Sequence, residues 1–168
     1  NIDVVLFDKT GTLTKGEQGV VDIVTNKLSE DELLSIAGTV EQESEHPIAK
    51  AIVQSATDRN LRLSSVKNFS ALSGRGARAL VAGKTVHIGG PRLLEELQLT
   101  LNESMRETFE TSSTEGKTVV FVVQDKAILG MIMLADMIRS ESKEAVKLLQ
   151  QSGKRVAMLT GDTNGVAA

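Results

Sequence analysis

Asp8 follows four apolar residues, Val4–Phe7, and heads a polar turn containing Lys9, Thr10 and Gly11. A second acid, Asp162, closes the loop Thr160–Asp162 after the run Arg155–Leu159. Open α/β sheets bind ligands beyond the carboxyl ends of their strands. A carboxylate placed there can attack a phosphoryl group and become an aspartyl-phosphate. That reaction asks mainly for positioning and charge neutralisation. Lys9, the loop N–H groups around Gly11 and Mg2+ are the available sources. Taken alone, an Asp after a strand is more often a turn residue or a cap.

A second group of residues suits a purine nucleotide. The chain has no Trp or Tyr, so His46, beside Pro47, is the candidate to stack on an adenine ring. Glu41 can accept from the adenine amino group. Gly74 and Gly76 let the backbone approach a ligand closely, although a solitary G-x-G usually marks a turn. His87 lies on a strand pattern and reads as a sheet residue.

The elements that must carry these groups are of two kinds. Val4–Phe7 reads as a strand buried on both faces, the parallel-sheet pattern, and Arg155–Leu159 as a final buried strand. Between them, Val20–Val24 reads as a strand. Ser29 and Glu32 form a capping-box pattern opening a helix with Leu33, Leu34, Ile36, Ala37 and Val40 on its apolar face. Pro47 suits the first turn of a helix over Pro47–Asp58. Residues 64–90 read as strands with a hairpin turn at Ala82-Gly83-Lys84. Helices follow at Pro91–Leu97 and Asn102–Thr111, then strands KTVVFVV and AILGMIML joined at Gln124-Asp125-Lys126. The last helix spans Ser140–Ser152, with Ala145, Val146, Leu148 and Leu149 apolar and Gly153 as its stop. The ends suggest a parallel α/β sheet and the middle an antiparallel one, so one domain is inserted into another.

Composition narrows the partners. Of the 168 residues, 40% are apolar and 24% charged, and the net charge is −3. That charge gives no footprint for nucleic acid or a membrane surface. The absence of cysteine excludes disulfides and thiolate metal sites within the chain. Apolar runs such as Ile128–Ala135 are far short of the roughly 20 residues of a bilayer helix. No signal peptide opens the sequence, and Asn1 in place of Met suggests a fragment or a processed product.

DKTGTLT (Asp8–Thr14) resembles the phosphorylation motif of the P-type ATPases, and TGD (Thr160–Asp162) resembles their second phosphate loop, in the expected order. These ion pumps belong to the haloacid dehalogenase-like superfamily. The resemblance implies that Asp8 is the phosphorylated nucleophile, that the Asp8 carboxylate and the Thr10 carbonyl bind Mg2+, and that Thr160 contacts the transferring phosphate. Asp162 would support the nucleotide or its Mg2+. Many phosphatases of the superfamily carry an acid two residues after the nucleophile. Thr10 cannot do that work well, which implies a slowly hydrolysed phosphoenzyme.

SEHP (Ser44–Pro47) and GRG (Gly74–Gly76) resemble the nucleotide-domain signatures of heavy-metal-transporting P-type ATPases. The implied nucleotide site is Glu41, His46, Gly74 and Gly76. GGPRLL (Gly89–Leu94) departs from the Gly-Asn pair common in that group and resembles copper exporters of the B type. Asp136 and Arg139 resemble an Asp-x-x-Arg hinge.

The implied architecture is a partial haloacid dehalogenase-like, Rossmann-like phosphorylation domain (1–14 and 135–168) with an inserted α+β nucleotide-binding domain (15–134) on an antiparallel sheet. The implied cofactors are ATP and Mg2+. The implied partners are the transmembrane and actuator domains of a longer pump, whose cytoplasmic portion this would be, with the transported ion bound elsewhere. The later Gly-Asp-Gly-x-Asn-Asp motif and its preceding lysine do not occur in these 168 residues, and Lys154 is no obvious replacement. The expectation is a chain that binds nucleotide and phosphorylates slowly or not at all. The alternatives are a soluble phosphatase of the same superfamily and a non-catalytic nucleotide-binding module.

Overall fold

The computed structural model describes residues 3–8 and 12–159. Two sheets organise them. The smaller pairs β1 (Val4–Asp8) in parallel with β8 (Arg155–Leu159), in register from Val4–Arg155 to Asp8–Leu159. The larger has six antiparallel strands in the order β2-β7-β6-β5-β4-β3. Its strands are β2 (Thr14–Thr25), β3 (Lys67–Leu72), β4 (Gly76–Val81), β5 (Lys84–Gly89), β6 (Thr118–Gln124) and β7 (Ala127–Ile138).

Two tight hairpins set much of that register. Ala82 and Gly83 join β4 to β5 at φ of 49° and 80°, and Asp125 and Lys126 join β6 to β7 at 46° and 67°. Positive φ at both central residues matches the right-handed twist of the strands. β2 starts earlier than the apolar pattern suggests. Its polar first half is held by pairing with β7, with irregularities after Thr14 and at Val21.

Both faces of the large sheet are covered. On one, α1 (Glu30–Glu41) and α2 (Pro47–Asp58) bury Leu33, Leu34, Val40 and Ile52 against Val86, Ile88, Val120, Val122, Ile132 and Leu134. On the other, α3 (Pro91–Glu96) and α4 (Glu103–Thr114) pack Leu94 and Met105 against Val119, Phe121, Val123, Met131 and Met133. Alternate residues of β6 therefore enter different cores, which explains its unbroken apolar run. Phe109 and Phe121 add a tilted ring pair with centroids 5.5 Å apart.

Local signals in the sequence meet their partners. Ser29 Oγ accepts the Glu32 N–H at 3.2 Å, and the Ser29 N–H donates to Glu32 Oε2 at 2.8 Å. This capping box holds the Glu32 carboxyl below its usual range. α5 (Ser140–Gln151) ends as expected, with Gly153 at φ 73° and the Lys154 N–H donating to the Leu149 carbonyl at 3.0 Å.

The small sheet differs from the expectation of strands buried on both faces. Val4 and Leu6 are 42% and 59% exposed, and Arg155 and Ala157 of β8 are exposed too. The apolar run implies cover on two sides, and among the described residues α5 packs on this sheet against β8. The α5 stripe is itself partly open, with Leu148 63% exposed.

Candidate nucleotide site

Glu41 is the last residue of α1, and the chain turns at once into α2. The turn is fixed by the Ser44 N–H, which donates to the Glu41 carbonyl at 2.9 Å. His46 then caps α2. Its Nδ1 accepts the Ile48 N–H at 3.3 Å, and Pro47 occupies the first helical position. Pro suits that position because its missing N–H would have no helical partner. With Nδ1 used as an acceptor, the neutral ring carries its proton on Nε2. The cap therefore sets both the tautomer and the ring direction.

The opposite wall comes from the loop between β3 and β4. Gly74, at φ 68°, opens onto free space. Gly76, at φ 127°, lies so close to β5 that an added Cβ would stand 1.8 Å from the Ile88 carbonyl oxygen. Gly89 meets the Arg75 carbonyl in the same way, at 1.9 Å. The two strands approach at these glycines because neither carries a side chain.

These elements enclose a cavity of about 420 Å3, lined by all four residues expected to bind nucleotide, Glu41, His46, Gly74 and Gly76. The volume lies in the range of small-molecule sites. Its floor is apolar, with Ile88, Ala77 and Val120. An open groove continues from Ser73, Gly74 and Arg75 to Arg92, Glu95 and Glu96. There Arg75 Nη1 is paired with Glu96 Oε2 at 2.7 Å. Glu41 is only 6% exposed. Burial pushes its carboxyl up to about 7, against the pull of a hydrogen bond with Ser44.

Arg75, Ile88, Gly89 and Gly90 also line the cavity and were not among the expected site residues. Gly89-Gly90 was visible as a motif, but its place here depends on β4–β5 register. His87 is a sheet residue, paired with Arg78 and Val123 on neighbouring strands. Its Nδ1 is buried without a partner, and desolvation is the main reason its pKa falls.

Asp8 ends β1 level with Leu159, so the two strands finish at the same edge of the sheet. Lys9, Thr10, Thr160 and Asp162 lie outside the described residues. Among the described residues no group of three acidic or histidine side chains could hold a metal. Asp8 alone does not make a Mg2+ site, because that ion needs six oxygen ligands. The hinge pair is engaged. Asp136 Oδ1 accepts from Gln18 Nε2 at 3.0 Å, and Arg139 Nε donates to the Thr14 carbonyl at 3.1 Å.

Comparison with known proteins agrees with this architecture. The sequence model of the haloacid dehalogenase-like hydrolase family matches residues 2–168. The chain is 45% identical to the copper-exporting P-type ATPase B of Archaeoglobus fulgidus, over 99% of its own length and 24% of that protein. It is 39% identical to a probable cadmium-transporting ATPase of Alkalihalophilus pseudofirmus, over 99% of its length and again 24% of the relative. A crystal structure of a zinc-transporting PIB-type ATPase superposes with a TM-score of 0.90 at 35% identity, covering 99% of this chain and 27% of that one. The chain thus spans about a quarter of the length of these relatives. No helix among the described residues is long and apolar enough to cross a membrane. The chain belongs to the haloacid dehalogenase-like hydrolase family, and its relatives there are the heavy-metal P-type ATPases.

Proposed function

We propose that this chain is the ATP-binding and phosphorylation region of a heavy-metal pump, with residues 15–134 holding ATP and residues 1–14 and 135–168 carrying the phosphorylation site. One observation carries the reading. Glu41, His46, Gly74 and Gly76 come from a helix end, a helix cap and a strand loop, yet they line one cavity. His46 stacks on the adenine, Glu41 meets its amino edge, and Gly74 leaves room for the ligand beside the backbone.

In the pump, an Asp8 carboxylate oxygen attacks the γ-phosphorus as the bond to the β–γ bridging oxygen breaks, and ADP leaves. Lys9, Thr10 and Thr160 are the proposed neighbours of the transferring group, and Asp162 supports the nucleotide. Mg2+ accompanies ATP and offsets charge on its phosphates. Hydrolysis of the aspartyl-phosphate drives metal across the membrane, and the region faces the cytoplasm. Copper is the proposed metal, supported by Gly89-Gly90-Pro91 and by the 45% identical copper exporter.

The test is titration of a non-hydrolysable ATP analogue while amide shifts are followed, repeated with His46→Ala and Glu41→Ala. Shifts should concentrate around the cavity, and each substitution should weaken binding at least tenfold. Unchanged affinity in both variants overturns the site.

A further inference from the structure

Among the described residues, Glu41 is the one acidic side chain lining the cavity, and its surroundings disfavour a negative charge. Burial removes the water that would solvate a carboxylate. As the last residue of α1 it also stands among the helix's terminal carbonyls, which carry partial negative charge, and the last turn contains no basic residue.

Charges on the packed elements do not compensate. His46 and Arg75 are the other titratable or charged lining residues among those described. The first gives its Nδ1 to a backbone amide, and the second is bound to Glu96. Glu43 and Glu45 follow the helix, and Lys50 of α2 is paired with Glu45 at 2.7 Å. Arg78 of β4 and His87 of β5 pair across the sheet, on the face opposite the one where Ala77, Ala79, Val86 and Ile88 meet α1. Lys15, Glu17 and Asp22 of β2 are exposed, and Asp136 of β7 is held by Gln18. The Ser44 hydroxyl is left as the near polar partner.

We infer that Glu41 reads the base as a carboxylic acid, its carbonyl oxygen accepting from the adenine amino group and its hydroxyl donating to the adjacent ring nitrogen. The inference rests on the nucleotide reading above. An ionised Glu41 would accept the amino proton but face the lone pair of that ring nitrogen. Guanine carries an N–H at that ring position but a carbonyl oxygen in place of the amino group, and that oxygen would face an ionised Glu41. The proton therefore tightens adenine binding, and the affinity for adenine falls as pH rises. A midpoint near 7 in the empty cavity puts the change close to neutrality.

The experiment titrates adenosine into the whole chain at pH 6 and pH 8, with amide shifts as the readout. Nucleosides remove the ionisation of the phosphates. Adenosine should bind about tenfold more weakly at pH 8 than at pH 6. Glu41→Gln presents the same acceptor and donor without a proton to lose. It should keep the pH 6 affinity of the wild type for adenosine at both values, within twofold, whereas Glu41→Ala should lose most of it at both. A carbon-13 titration of the Glu41 carboxyl in the free wild-type chain should centre near 7.

Adenosine affinity independent of pH in the wild type, a glutamine variant weaker than wild type at pH 6, or a carboxyl midpoint near 4.5 overturns the inference. If neither ATP nor adenosine moves cavity resonances at any pH, it is the nucleotide reading that fails.

Discussion

A Cβ on Gly76 would stand 1.8 Å from the carbonyl oxygen of Ile88, whereas one on Gly74 would meet nothing within 4 Å. The two glycines of one motif thus do different work. Gly76 closes β4 onto β5, and Gly74 keeps the cavity wall open. Gly76→Ala should cost about 3 kcal/mol, from overpacking and a φ of 127°. Gly74→Ala should cost about 1 kcal/mol, from its positive φ alone. Urea unfolding separates the two, and nucleotide titration of the folded Gly74 variant should show weakened binding.

Stability should depend on pH through Glu41. Its folded-state pKa near 7 lies above the ordinary 4.5, so between these values the folded chain holds the proton more tightly than the unfolded one. The stability linked to that proton is full below pH 4.5 and is lost as pH rises through 7. The raised pKa corresponds to about 3 kcal/mol of penalty at pH 8. Glu41→Gln should remove this dependence, gaining stability at pH 8 relative to wild type and little at pH 5. Thermal or urea unfolding at the two pH values checks it.

His46 combines a helix cap with a cavity-lining ring, and Asn can separate the roles. Asn is among the best N-cap residues, so His46→Asn should hold or raise stability by about 1 kcal/mol. It brings no ring to stack on a base, so nucleotide binding should fall. Equal binding by this variant would assign His46 to the cap alone.

Arg139 ties the end of β7 to the start of β2 through the Thr14 carbonyl. Arg139→Ala should cost about 1 kcal/mol. Its effect should be local, with faster amide exchange at Thr14 and in β1 and β8 than in β5 or β6. Uniform acceleration across both sheets would count against a role at the junction.

Some of this was legible from nearest neighbours in sequence. The Ser29–Glu32 box and Pro47 fix helix starts by contacts within four residues, and α2 spans Pro47–Asp58 as expected. The two-residue turns of β4–β5 and β6–β7 likewise act locally. That Glu41, His46, Gly74 and Gly76 stand together at one cavity was expected by resemblance. Arg75 and Gly89 were missed because strand pairing brings them to the cavity. The exposure of Val4 and Leu6 was also hidden. An apolar run states what a strand can bury, and its cover depends on distant elements.

The parallel pairing of β1 with β8 joins Val4 to Arg155, the most distant partnership in the described sheets. A chain emerging from the ribosome at 5–20 residues per second would leave β1 unpaired for roughly 8–30 s. In that interval the six-stranded sheet, built mostly by pairing consecutive strands, can complete itself. Val4, Val5, Leu6 and Phe7 would then wait longest for their strand partners, and assembly in step with synthesis would run from the middle of the chain outwards.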